Sequence, residues 1–173
     1  RDAPTVGLPG DYFYSPMQLV GEWSSYDETI CSVDPSGRGT DETAAAFLSQ
    51  RNGLIYLHEM SAYRDGYSDS TLLDILKRCR TYGVTSLVIE TNFGDGIVGE
   101  LFKKHLINTK QHINIEEVRA NVRKEDRIID SLEPVLNQHR LIVDRGVIDW
   151  DYASNKDSPA EERLLYMLFY QMS

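Results

Sequence analysis

Two apolar runs, residues 43–49 and 54–60, are joined through Arg51-Asn52-Gly53. Asn-Gly between such runs is a strong signal for a tight β-hairpin, because both residues tolerate the left-handed backbone of a two-residue turn. A shorter apolar run, residues 30–33, precedes the hairpin and stops at Asp34-Pro35-Ser36-Gly37. Three strands in succession are therefore expected before any helix. The period then changes. Residues 68–80 carry Leu72, Leu73, Leu76 and Cys79 at helical spacing, with Ser68, Asp69 or Ser70 as N-cap and Gly83 as terminator. From there strands and helices alternate. Strands are expected over 86–89, 113–118 and 141–143, and helices over 96–106, 124–137 and from Pro159 to about Met172. Pro134 inside the third of these helices predicts a kink or an early end. This order predicts an α/β fold, a mixed sheet flanked by helices. Residues 1–25 hold Pro4, Pro9 and Pro16 and no sustained period, so they are expected to form a linker or irregular N-terminal arm before one domain over 26–173.

Charge narrows the function classes. The 173 residues carry a net charge of −9, which argues against a polybasic nucleic-acid binder. The charge is uneven: residues 1–100 sum to −8, residues 101–145 to +2 and residues 146–173 to −3. Phosphate contacts are therefore sought in 101–145. Two cysteines, Cys31 and Cys79, are too few for a disulfide scaffold or a zinc site and are expected in the core of a reduced, intracellular protein. No apolar run approaches the ~18 residues of a membrane span, and no signal peptide opens the chain. The chain opens on Arg1 rather than Met, so it is expected to be a piece of something longer.

The chemistry centres on carboxylates at strand ends. Asp34 and Glu90 each close a short apolar strand, at the sheet edge where α/β proteins place ligands. Two such carboxylates on neighbouring strands make a hard-oxygen site for Mg²⁺ or Mn²⁺. The alternative is a turn residue and a solvated strand end. After Asp34, the glycine-containing stretch 35–42 places Arg38 for a phosphate contact and Asp41 as an auxiliary carboxylate, or as ordinary loop polarity. It lacks the G-x-x-x-x-G-K-[ST] pattern of a nucleotide loop. After Glu90, Thr91-Asn92-Phe93-Gly94-Asp95-Gly96 opens a helix whose first N–H groups suit an anion, or simply turns the chain with Asp95 as cap. Arg119, Arg123, Lys124 and Arg127 either line a substrate groove or pair with nearby acids. His58, His105, His112 and His139 have no ligand spacing, and Tyr56, Tyr63, Tyr67 and Tyr82 are expected in the core or hairpins.

Six runs together carry a resemblance: SVDPSGRGTDET, YRDGYSDSTL, IETNFGDG, LEPVL followed by HRLIV, and LFYQM. Their content and order resemble the C-terminal nuclease domain of the large terminase subunit of tailed phages, podovirus-type, also called DNA maturase B. The resemblance spans roughly residues 28–173. It implies a ribonuclease H-like fold and a two-metal endonuclease that cuts concatemeric double-stranded DNA during genome packaging in the host cytoplasm. Portal protein and small terminase subunit are the partners it implies for the full-length protein, and no membrane. The family's first two metal carboxylates carry onto Asp34 and Glu90, with Asp41 and Asp95 as auxiliaries. The basic helix and turn around Lys124 and Arg127 is the DNA-contact surface that the resemblance implies, and Arg38 and Arg123 stay candidates for DNA contact from the residue reading alone. The family's third carboxylate follows the LFYQM run and is expected beyond Ser173. Two rivals stay open: a DNA- or portal-docking domain with little activity of its own, and another ribonuclease H-like nuclease such as a resolvase or exonuclease. A phosphatase of the Asp-x-Asp type is disfavoured, because Ser36 holds the second Asp position.

Overall fold

The computed structural model describes residues 5–8, 11–14, 17–19, 25–36, 42–91, 96–119, 124–154, 156 and 167; for 5–19 and 124–129 it describes the backbone alone. The strands are β1 (Thr5–Leu8), β2 (Asp11–Tyr14), β3 (Met17–Leu19), β4 (Glu28–Asp34), β5 (Thr43–Arg51), β6 (Leu54–Tyr63), β7 (Ser86–Glu90), β8 (Asn114–Val118) and β9 (Leu141–Asp144). The helices are α1 (Asp69–Tyr82), α2 (Ile97–Thr109), α3 (Lys124–Asn137) and α4 (Arg145–Ser154). Seven strands form one mixed sheet in the order β3-β9-β6-β5-β4-β7-β8. β4, β5 and β6 run antiparallel as a meander, while β7 joins β4, β8 joins β7 and β9 joins β6 in parallel.

Local chemistry explains the elements. The two-residue turn between β5 and β6 has φ of +51° at Asn52 and +77° at Gly53, the double left-handed pair that matches strand twist. Ser68 caps α1 by accepting from the Thr71 N–H, and Gly83 ends it at φ +67°. Thr71, Leu72, Ile75, Leu76 and Cys79 form the buried stripe of α1. They pack with Val98, Phe102 and Leu106 of α2 on a sheet face built from Cys31, Val33, Ala45, Phe47, Leu87 and Ile89. A second core lies on the other face, where Leu132, Val135 and Leu136 of α3 meet Ala46, Leu48, Leu57, Leu141 and Val143. Both cysteines are buried. The adjoining Cys79 thiol and burial together push the Cys31 thiol far up, so it stays protonated and is no nucleophile.

Three expectations change. Residues 1–25 were expected to be irregular but carry β1, β2 and β3, and β3 pairs in parallel with β9 in the main sheet. Strands of three or four residues are too short to show a period. A helix, α4, follows β9 directly and was not foreseen. Its Gly146 and β-branched Val147 and Ile148 are weak helix formers, and its start is set by the Asp144 carboxylate accepting the Gly146 N–H at 2.6 Å. Pro134 does not shorten α3, which runs to Asn137; in the last turn the missing N–H forgoes a single intrahelical bond. The helix expected from Pro159 lies outside the described residues.

His58 is the extra residue of a β-bulge, since Phe47 pairs with Glu59 but Leu48 with Leu57. The bulge turns its imidazole inward. Nε2 lies 2.8 Å from Ser49 Oγ, and the ring stacks on Tyr82 at 5.4 Å. Burial holds its pKa below the ordinary 6.5, with the Asp144 carboxylate opposing part of the shift. The unfolded chain thus takes up a proton at His58 before the folded chain does. His58 is therefore expected to lower stability as pH falls through 6.5 toward its folded-state value. Urea midpoints at pH 7.5 and 5.5 check this, and His58→Gln should flatten the slope. An equal slope in that variant would assign it to other groups.

Candidate active site

β4 and β7 are parallel neighbours, with Val33 paired to Ile89. The next residue of each strand is its last, Asp34 on β4 and Glu90 on β7. Adjacent strands lie about 4.8 Å apart, so the two carboxylates leave the backbone side by side. Side chains alternate along a strand. Val33 and Ile89 face the α1/α2 core, so Asp34 and Glu90 share the opposite face, the one that α3 covers further across the sheet. Burial does not force a counter-ion on them: Asp34 is exposed and Glu90 half-buried. What the fold supplies is adjacency of two hard-oxygen donors, and that set suits Mg²⁺ or Mn²⁺.

Both ends are pinned. After Glu90, the Thr91 N–H donates to Val118 O at 2.9 Å, extending the β7–β8 ladder past the carboxylate. After Asp34, the Ser36 N–H donates to Thr43 Oγ1 at 3.0 Å, and the two hydroxyls are 3.1 Å apart. This second contact joins residues seven apart through side chains, and no periodic signal in the sequence announces it.

The other candidates divide by position. Arg38, Asp41, Asp95 and Arg123 lie outside the described residues. Lys124 and Arg127 stand on α3, whose backbone alone is described there. That helix follows β8, which ends at the same sheet edge as β4 and β7. α2 begins after Gly96, its N-cap, whose φ is +81°. Glu117, one register position below Val118 on β8, faces that first turn, and a Cβ on Gly99 would run into its carboxylate. Among the described residues, no group of three or more His, Cys, Asp or Glu is placed to hold a metal ion. Asp144 also ends a strand, but β9 is separated from β4 by β6 and β5, and its carboxylate is bonded to Gly146. It belongs to no site with Asp34.

The fold is that of a ribonuclease H-like domain, and comparison with known proteins gives the family. Residues 33–141 match the family described as "Terminase Bacteriophage T7, Ribonuclease H-like domain", and the chain belongs to it. Over 174 aligned residues it is 43% identical to the large terminase subunit of Enterobacteria phage T3, a match that takes in the whole chain but 29% of the relative's length. Among solved structures, the P22 large terminase nuclease domain is similar at a TM-score of 0.56, with 9% identity over 89% of this chain and 84% of that one. A human cytomegalovirus terminase nuclease domain, soaked with Mn and bound to an inhibitor, is similar at 0.54, with 10% identity over 85% of this chain and 82% of that one. At such identities these likenesses speak for the fold. Among the described residues, no helix is long and apolar enough to cross a membrane.

Proposed function

We propose that this chain is a DNA-cutting domain of a phage large terminase, a metal-dependent endonuclease acting on concatemeric double-stranded DNA. The observation that carries the reading is the β4–β7 register, which sets Asp34 beside Glu90 at the ends of parallel strands. Family membership and the Mn-soaked cytomegalovirus domain support it. Asp34 and Glu90 would hold divalent cations. When bound, such ions supply a neutral-pH nucleophile from water and offset charge on the scissile phosphate. The chain's own part is to hold the two carboxylates still and close together. Asp41 and Asp95 are the proposed auxiliaries. Arg38, Arg123, Lys124 and Arg127 are the proposed phosphate contacts, which set position on DNA without reading sequence. Portal protein and small terminase subunit are the proposed partners of the full-length protein, acting in the host cytoplasm.

Metal titration against plasmid cutting tests the reading. Supercoiled plasmid should be nicked and linearised on addition of Mn²⁺ and left intact when EDTA is in excess. A chain that grips DNA but cuts nothing at any Mn²⁺ concentration would instead be a docking domain.

A further inference from the structure

We propose that Thr43 is a positioning residue for the candidate metal site, its hydroxyl fixing the turn that follows Asp34. The proposal rests on the reading of Asp34 as a metal ligand. The β4–β5 ladder ends at the pair Asp34 and Ala44. The next pair would join Pro35 to Thr43, but proline has no N–H to donate and the ladder cannot pass it. The first N–H after it belongs to Ser36. Thr43 Oγ1 accepts that N–H at 3.0 Å and shares a second bond with Ser36 Oγ at 3.1 Å. One side chain thus continues the pairing where the backbone cannot.

The surroundings make this contact stiff. Thr43 is 1% exposed and Ser36 7%, so water cannot readily replace either bond. Gly66, in the turn before α1, lies against Ser36, and a Cβ there would stand 3.7 Å from Ser36 Oγ. Pro35 fixes its own φ and bars the helical region to Asp34. Asp34 is therefore held by the β4 ladder on one side and by the Thr43 clamp two residues later on the other. In sequence, Arg38 and Asp41 lie between the two clamped residues. A hydroxyl in this place governs how far the Asp34 carboxylate wanders from Glu90, and so how tightly the pair holds a cation.

The test uses this chain and Mn²⁺ alone, with free Mn²⁺ read from its electron paramagnetic resonance signal. Thr43→Val keeps the shape and loses the hydroxyl, and should weaken Mn²⁺ binding by about tenfold, in the range for partners that orient metal ligands. Thr43→Ser keeps the hydroxyl and should restore binding to within about twofold of the parent on the same reasoning. A merely structural threonine would not give that rescue at equal thermal midpoints. If Thr43→Val does not fold, Ser36→Ala removes one of the two bonds and should weaken Mn²⁺ binding in the same direction. Parent-like binding in the folded variant tested overturns the proposal. Asp34→Asn separates the two levels: if it binds Mn²⁺ like the parent, the ligand reading itself falls. If it loses Mn²⁺ while Thr43→Val keeps it, only the positioning role falls. No Mn²⁺ binding by the parent overturns both.

Discussion

Asp34→Asn is expected to lower Mn²⁺-dependent nicking of supercoiled plasmid by more than about 10²-fold, beyond the 10–100-fold typical of groups that merely orient a ligand. Asparagine keeps the size of the side chain and one oxygen, but not the charge. Asp34 ends β4 as an exposed residue, so changing its side chain leaves no cavity. Its neighbour Glu90 is held about one strand spacing away by the β4–β7 register. Without a cation the two carboxylates repel each other. Neutralising one relieves that repulsion, so activity should fall far more steeply than the thermal midpoint moves. Activity and stability are thus expected to move independently, as a ligand role requires and a packing role does not. Cleavage at the parental rate in Asp34→Asn would remove this pair from the chemistry.

The parts of the fold that were legible are those set by neighbours in sequence. Asn52-Gly53 announces its turn because both residues accept positive φ. Ser68 and Gly83 announce the ends of α1 for similarly local reasons, a hydroxyl acceptor and a residue without a Cβ. Asp34 and Glu90 stand out because each closes an apolar strand. That they are adjacent is a different kind of fact. It depends on β7 pairing with β4 after an intervening hairpin and helix, which no local pattern specifies. The same holds for β9, which follows β8 in sequence yet pairs with β6 on the other side of the sheet. The Ser36–Thr43 clamp and the inward turn of His58 escape a reading by period as well. One is a side-chain bond between elements and the other an extra residue that breaks the period of two. The early strands β1 to β3 and the helix α4 were hidden by brevity and by weak propensity.

Phe47→Ala carries the largest expected cost in stability, about 3–5 kcal/mol. Phe47 is fully buried in β5, between β4 and β6 in the sheet. It pairs with Cys31 on one side and Glu59 on the other, and its ring lies 5.4 Å from that of Tyr82 at the end of α1. Truncation removes apolar burial and leaves a cavity that this strand cannot close. Tyr82 is held in place by its hydroxyl on Glu59 at 2.7 Å and by its stack on His58, and β5 is fixed by ladders on both edges. Against a total stability of about 5–15 kcal/mol for a domain, this loss brings the chain close to unfolding. Leu73 is the matched control: it is on α1 but 43% exposed, so Leu73→Ala should cost less than about 1 kcal/mol. Urea unfolding at pH 7.5 measures both. At that pH, and well below its midpoint, Phe47→Ala should still bind Mn²⁺, because Asp34 and Glu90 share the opposite face of the sheet and are set by β4 and β7. Equal costs for the two variants would mean that α1 and the sheet do not pack on Phe47 as described. Loss of Mn²⁺ binding in a folded Phe47→Ala chain would mean that the site depends on the core beneath it and not on strand register alone.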